Sequence, residues 1–194
     1  MKTFLRISFF YFAMTQTVFA ADYCAFGIGS NWVYSTTING RTVEFIQEVT
    51  AIEPQGKKQI YTMESRMNGT LINTFKWHLE NNSLFLLKKI NLRGETTFSP
   101  PRKEMKCNAK VGDLWTWKSD NQTDYLNFKA IKEEKISVPS GRFNTIVIKT
   151  SGFMDGTEIR ESLTWYADKV GSVKEAVKAG DVNMIRKLTS YKVK

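Results

Sequence analysis

Residues 31–52 read NWVYSTTINGRTVEFIQEVTAI, and this stretch predicts an antiparallel β-hairpin. Side chains alternate between the two faces of a strand, so alternate residues of the first strand share one face. These residues are Trp32, Tyr34, Thr36 and Ile38. Asn39-Gly40 predicts a type I′ turn, because both central positions of that turn need a positive φ. The second strand then runs from Arg41 to Ile52.

Outward from this hairpin, short β-type segments separated by turn residues continue along the chain. They are rich in Thr, Ile, Val and aromatic residues, as strands are. Asn68-Gly69 and Asp155-Gly156 repeat the hairpin signal. The further segments are residues 60–67, 70–78, 84–92, 111–119, 123–136, 143–151, 157–167, 173–177 and 182–191. The sequence thus predicts an all-β fold, an antiparallel sheet of about 10 strands curled into a barrel or half-barrel.

Two segments depart from this pattern. Residues 94–106 are predicted to form a loop, because Pro100-Pro101 cannot occupy a central strand. Residues 172–175, Ser-Val-Lys-Glu, match a helix capping box, and Gly180 is a suitable C-terminal stop. One short helix there is therefore the alternative to a strand.

The first 20 residues have the pattern of a signal peptide. Lys2 and Arg6 precede a short apolar stretch, and Val18-Phe19-Ala20 predicts cleavage after Ala20. An uncleaved anchor is the alternative, but the apolar run is shorter than the ~20 residues that span a bilayer. Lipidation of Cys24 is not expected, because Asp22 and Tyr23 fit the acylation pattern badly. The mature chain, residues 21–194, is predicted to be a single β domain without a transmembrane segment.

The composition is that of a basic globular domain. The formal net charge is +9, and removal of Lys2 and Arg6 with the signal peptide leaves +7. Lysines and arginines are spread along the chain, which indicates solvated strand faces, so we expect no nucleic-acid partner; another anionic partner stays open. Cys24 and Cys107 predict a disulfide in an oxidising compartment, and two free thiols or a redox pair are the alternatives.

The sequence carries no recognisable catalytic set. His78 is the only histidine, and we expect it at the surface or rim of the sheet. A zinc site would be short of ligands, and no nucleophile elbow or phosphate loop is present. Carboxylate pairs that could serve a hydrolase are Glu44 with Glu48, Glu133 with Glu134, and Glu158 with Glu161. Most have basic neighbours that suit cross-strand pairing. The prediction is a non-enzyme without cofactor or metal.

Several phrases occur in an order and spacing similar to a known family. They are VGDLWTW at 111–117, VPSGRF at 138–143, MDGT at 154–157, TWYA at 164–167, VGSVK at 170–174 and LTSY at 188–191. They resemble the TapB-like family of exported bacterial β proteins, which has no established biochemical activity to carry over. Family members are often lipoproteins with an acidic or neutral surface, whereas this chain is basic and lacks the acylation pattern.

The first of these phrases also resembles an earlier part of the same chain. Gly29–Tyr34 and Gly112–Trp117 both read Gly, small polar, any residue, Trp, any residue, aromatic. This similarity indicates duplication of a half-sheet with starts near 29 and 112. The alternative is a chance match over six positions.

Three functional hypotheses follow. The first is an exported binding or assembly module, an accessory subunit of a periplasmic or outer-membrane complex such as a secretion or pilus apparatus. Its partners would be protein subunits of the cell envelope. The second is a carrier or sensor of an apolar ligand, such as a lipid, in a barrel cavity lined by Trp32, Trp115, Trp117 and Trp165. The third and least favoured is an unrecognised hydrolase. The expected location is the periplasm, the outer membrane or the extracellular space.

Overall fold

A computed structural model describes residues 21–24, 26–56 and 58–194, so the predicted signal peptide and its cleavage point lie outside the described residues. Every regular element of the described chain is a β-strand. The strands are β1 Asn31–Ile38, β2 Arg41–Gln55, β3 Lys58–Met67, β4 Thr70–Glu80, β5 Ser83–Asn91, β6 Gly94–Lys106, β7 Leu114–Lys118, β8 Asp124–Val138, β9 Gly141–Met154, β10 Thr157–Ala167, β11 Gly171–Ala179 and β12 Val182–Lys192. None of the described residues belongs to a helix that could cross a membrane.

The twelve strands form one antiparallel sheet with the order β6-β5-β4-β3-β2-β1-β12-β11-β10-β9-β8-β7. The predicted all-β class is confirmed, with twelve strands where about ten were expected. The first and last strands pair at the centre of the sheet, and β6 and β7 are its edges. The edges meet where Trp117 Nε1 donates to the Pro100 carbonyl at 2.8 Å and the Asp120 amide donates to the Ser99 carbonyl at 3.2 Å. The sheet therefore nearly closes into a barrel.

The central hairpin has the predicted turn. Asn39 has φ 46° and Gly40 has φ 85°, the positive values that a type I′ turn requires. β1 and β2 pair from Ile38↔Arg41 to Asn31↔Glu48 without a register shift. The local sequence thus determines this part of the sheet.

The predicted loop at residues 94–106 is wrong, because this segment is strand β6. Its prolines are accommodated at a sheet edge, where one side of the strand needs no ladder hydrogen bonds. The pairing of β6 with β5 also shifts register between Leu86 and Lys88, which leaves the Pro100-Pro101 region outside the regular ladder.

The alternative of a short helix at residues 172–175 is also wrong, because Ser172 and Glu175 lie within β11. Glu175 is paired with Thr164 of β10 on one side and Arg186 of β12 on the other. Tertiary pairing on both sides thus overrides the local capping signal.

The N-terminal segment is attached to the barrel at two separate places. The Lys169 amide, in the turn between β10 and β11, donates to the Asp22 carbonyl at 2.8 Å. The Tyr23 amide donates to the Cys107 carbonyl, also at 2.8 Å. The predicted disulfide is confirmed: Cys24 and Cys107 are bonded, with their Cα atoms 5.1 Å apart. The Asp22–Tyr23 peptide group thus bridges the β10–β11 turn and the residue that follows β6.

Candidate ligand-binding site in the barrel interior

A cavity of about 190 Å³ lies inside the barrel and is lined by the N-terminal segment, β1–β5 and β10–β12. Its wall is partly aromatic and partly polar. The aromatic side chains are Tyr23, Phe26, Trp32, Tyr34, Trp77 and Tyr166. The polar side chains are Gln47, Thr164, Ser172, Glu175 and Arg186.

The aromatic wall is held by edge-to-face contacts. The Phe26 ring lies 5.2 Å from the Tyr61 ring and 6.3 Å from the Trp32 ring, with interplanar angles of 81° and 83°. Trp32 Nε1 donates to the Val170 carbonyl at 2.7 Å. The indole of Trp32 is therefore fixed, and its apolar surface is free to face the cavity.

An ion pair forms the polar wall. Arg186 Nη2 donates to Glu175 Oε2, and Arg160 Nη2 lies 3.4 Å from Glu175 Oε1. The guanidinium of Arg186 also lies 4.8 Å from the Tyr34 ring and 4.7 Å from the Phe45 ring. The side chains of Glu175 and Arg186 are only 11% and 14% exposed, so this pair is largely removed from water.

Three polar atoms of the cavity wall have no hydrogen-bond partner among the described residues. They are Trp77 Nε1, Ser172 Oγ and Arg186 Nε. A buried polar atom without a partner costs about 1–3 kcal/mol. A ligand or water with hydrogen-bond acceptors in this cavity would remove that cost.

Two tyrosine hydroxyls of the cavity wall, those of Tyr34 and Tyr166, are held in the protonated state. Burial raises the pKa of Tyr34 to about 12, and its hydroxyl donates to the Ser172 carbonyl at 3.0 Å. Burial is also the largest cause of the raised pKa of Tyr166. Both groups can donate hydrogen bonds at neutral pH, and neither is a phenolate.

The four tryptophans proposed from the sequence occupy different places. Trp32 lines the cavity, whereas Trp115 stacks on Phe128 at 5.2 Å in the cluster that also contains the disulfide. Trp117 joins the sheet edges through Pro100. Trp165 is on the other face of β10, where its indole donates to Glu134 and Lys174 Nζ lies 4.2 Å from its ring. The remaining wall residues, including Trp77, Tyr166, Glu175 and Arg186, were not predicted.

His78 is buried, at 2% exposure, and the predicted surface or rim position is wrong. Its ring stacks on Phe85 at 5.0 Å, and its Nε2 lies 3.4 Å from Glu80 Oε2. Burial, followed by the charge of Lys58, lowers the pKa of His78. The imidazole is thus neutral at pH 7 and packs as an aromatic side chain.

Two of the carboxylates considered for chemistry, and the two cysteines, are engaged in other interactions. Glu161 of β10 pairs with Lys149 of β9 at 2.5 Å, which is the cross-strand pairing expected from the sequence. Glu134 pairs at 2.8 Å with Lys132 of its own strand, β8. Asp22, Cys24 and Cys107 lie close together, but both sulfur atoms belong to the disulfide and supply no thiolate for a metal.

Comparison with known proteins identifies the fold. No family model matches the sequence, and no curated protein matches it. Among solved structures, a candidate lipoprotein from Parabacteroides distasonis superposes with a TM-score of 0.56 at 16% identity, covering 89% of this chain and 99% of that one. A candidate exported protein from Bacteroides fragilis gives a TM-score of 0.55 at 9% identity, with the same coverage. The chain therefore shares the fold that is called YmcC-like in the Bacteroides protein.

Proposed function

We propose that this chain is an exported, non-enzymatic binding module of the cell envelope whose ligand site is the cavity inside the barrel. The observation that supports this proposal best is the composition of the cavity wall. It combines aromatic surface with inward polar atoms that lack partners among the described residues. Binding sites for small molecules have this composition, mostly apolar with a few placed polar groups.

The cavity volume restricts the ligand. About 190 Å³ is slightly larger than an engineered cavity of roughly 150 Å³ that binds benzene. It is smaller than the roughly 300–1,000 Å³ typical of drug-sized ligands. One or two rings or a short alkyl chain fill such a space, so a lipid would place only the end of its apolar part inside.

A binding role without catalysis suits the ionisable groups of the wall. Burial raises the pKa of Tyr34 to about 12 and is the largest cause of the raised pKa of Tyr166. Groups fixed in one protonation state are poor proton-transfer catalysts near neutral pH, whereas they recognise a ligand well.

Export is supported by the signal-peptide pattern, the resemblance to the TapB-like family and the disulfide. The Cys24–Cys107 bond is stable in an oxidising compartment such as the periplasm or the extracellular space. We therefore propose one of these, or the outer-membrane surface, as the location.

The test uses a cavity-filling variant. Ser172 lines the cavity and its hydroxyl bonds to no described residue, so Ser172→Phe should fill the space without removing a hydrogen bond. Ser190 is exposed on β12, and Ser190→Phe is the matched control. We expect calorimetry with 2-naphthalenemethanol to show saturable binding to the wild type and the control, and at least tenfold weaker binding to Ser172→Phe. Equal affinity of all three, or no binding to any, would refute the proposal.

A second candidate is the assembly module predicted from the sequence. Its specific support is on the outer face, where Lys174 and Lys187 are directly opposite each other in β11 and β12. Like charges in this position destabilise a sheet, and a negatively charged partner would relieve the repulsion. Ile185, 46% exposed on the same strand, adds apolar surface. The partner would be an acidic protein subunit of an envelope complex.

Crosslinking in intact cells, followed by mass spectrometry, tests this second candidate. A specific protein adduct should form with the wild type and disappear in Lys187→Glu. Lys110→Glu, which changes an exposed lysine of the loop before β7, should keep the adduct. A clean monomer in every sample would exclude the assembly role.

A further inference from the structure

The inner surface of the barrel carries more positive than negative charge next to the cavity. Met63, Phe75 and Lys89 are directly paired across β3, β4 and β5, so they share one face of the sheet. Met63 lines the cavity, and Lys89 is therefore on the inner face. Its Nζ lies 6.0 Å from the centre of the Phe75 ring.

Arg102 reaches the same face from the edge strand. It is paired with Leu86, which is paired with the cavity residue Trp77. The Arg102 guanidinium lies 4.4 Å from the Phe98 ring and is paired with Glu104.

Arg160 approaches the same region from the opposite side of the barrel. Together, Lys89, Arg102, Arg160 and Arg186 form what we call the basic set. Its Nη2 is 3.4 Å from Glu175, the carboxylate that also binds Arg186. One carboxylate thus serves two guanidinium groups. The Arg160 side chain is 49% exposed, so solvent reaches this part of the interior.

Lys89 is the unbalanced charge of the set. It makes no ion pair with a carboxylate of the described residues. Burial, followed by the charges of Arg102, Arg160 and Arg93, lowers the pKa of Lys89. These causes place Lys89 in a positive environment near two other members of the set.

The basic set has fewer carboxylate partners than positive charges, which favours binding of an anion. In the part of the chain that the structure describes, the ion pairs of Lys89, Arg102, Arg160 and Arg186 involve two carboxylates, Glu104 and Glu175, so these pairs leave an excess of two positive charges. Partly buried cations without counter-charges are costly, and an anion with several oxygen acceptors would form charge-assisted hydrogen bonds with them. Arginine guanidinium groups suit carboxylates, phosphates and sulfates in particular.

We propose that the barrel binds an anionic amphiphile, with its apolar end in the aromatic cavity and its acidic head group among Lys89, Arg102, Arg160 and Arg186. This inference rests on the proposed function, because it names the ligand class of the same cavity. The ligand is a small aromatic acid or a short-chain acid, because the cavity holds only an apolar part of this size beside the head group. Both share one anionic head and one apolar end.

The experiment compares two probes of the same shape by calorimetry. Naphthalene-2-carboxylate carries the charge, and 2-naphthalenemethanol is its neutral counterpart. We expect the carboxylate to bind the wild type about tenfold or more tightly than the alcohol, since hydrogen bonds to charged groups are the stronger ones. Lys89→Met and Arg160→Met should each reduce this preference, because they should weaken binding of the carboxylate more than binding of the alcohol. Lys178→Met, an exposed lysine of β11, is the matched control and should keep the preference.

The outcomes separate this inference from the proposed function. Equal affinity for both probes, with no effect of Lys89→Met, would overturn the anionic head group while the cavity remained a binding site. Absence of binding by either probe would overturn both. Binding of inorganic phosphate as tightly as the carboxylate would show that the apolar end adds no affinity, which also contradicts an amphiphile. Octanoate and a lysophospholipid, added in parallel, distinguish a short acid from a lipid.

Discussion

Glu175 is the residue on which the polar wall of the cavity depends. Its carboxylate is the ion-pair partner of Arg186 and Arg160. Glu175→Ala leaves Arg186, 14% exposed, without a counter-charge, and removal of one partner from a buried ion pair costs about 3–5 kcal/mol. We therefore expect the free energy of unfolding, measured with urea at pH 7, to fall by roughly 3 kcal/mol.

The control for this prediction is an ion pair on the outer face. Glu161 pairs with Lys149, and their side chains are 47% and 41% exposed. Glu161→Ala should change the free energy of unfolding by less than about 1 kcal/mol, since exposed pairs contribute little. Equal losses in the two variants would show that the interior pair is no more important than a surface pair.

Tyr34 provides a prediction at alkaline pH. Burial raises its pKa to about 12, above the value of about 10 in an unfolded chain. The folded state thus holds this proton more tightly, and the resulting stabilisation is complete below pH 10 and lost as the pH rises from 10 to 12. The loss is roughly 2–3 kcal/mol for the two-unit shift.

Variants of the buried tyrosines isolate this effect. Tyr34→Phe should make the decline of the free energy of unfolding between pH 10 and pH 12 less steep. Adding Tyr166→Phe should reduce it further, since the pKa of Tyr166 is also raised. Urea unfolding across this range measures the slopes, and an unchanged slope in both variants would contradict the assignment.

The charged part of the site was not predicted because inward and outward charges look alike in a β sequence. Trp32 was predicted, since an aromatic residue in an alternating strand suggests an inner position. Arg186 lies between Met184 and Leu188, so its period-2 position with two apolar residues was a signal of an inward side chain. The pairing of Arg186 with Glu175 depends on the β11–β12 register, which a single sequence does not reveal.

At the scale of elements, hairpins with Asn-Gly or Asp-Gly turns were predictable and the edge strand was not. Asp155 and Gly156 have φ values of 48° and 77°, as their turn requires, and β9 and β10 pair across it. β6 contains Pro100-Pro101 and was predicted to be a loop. Its pairing is fixed by its edge position and by the register shift against β5, and neither is a local property of the sequence.

The stability of the fold should depend on the Cys24–Cys107 disulfide. It links the N-terminal segment to the end of β6 over a sequence separation of 83 residues. The chain-entropy model gives roughly 4–5 kcal/mol for a loop of this length. The double variant Cys24→Ser/Cys107→Ser should lose up to this amount in urea unfolding. Dithiothreitol should weaken the wild type similarly and leave the double variant unaffected; a wild type indifferent to reductant would contradict the prediction.

At the scale of the whole molecule, the sheet consists of two successive meanders of six strands. Strands β1–β6 follow one another from the centre of the sheet to one edge. Strands β7–β12 follow one another from the other edge back to the centre, where β12 pairs with β1. The two similar phrases, at 29–34 and 112–117, precede or begin the first strand of each meander. Duplication of the half-sheet stays a prediction. It requires the two similar phrases to stand at the start of the two meanders, where they are found.

This arrangement predicts that the chain can be divided between the meanders and still assemble. Fragments 21–109 and 110–194, coexpressed with export signals, should copurify, because β1 and β12 pair along their length from Asn31↔Lys192 to Ile38↔Met184. Both cysteines remain in the first fragment, so the disulfide is kept. Leu188, fully buried opposite Tyr34, makes the control: Leu188→Asp in the second fragment should abolish copurification. Copurification that survives Leu188→Asp, or fragments that never associate, would show that the β1–β12 pairing is not what holds the two halves together.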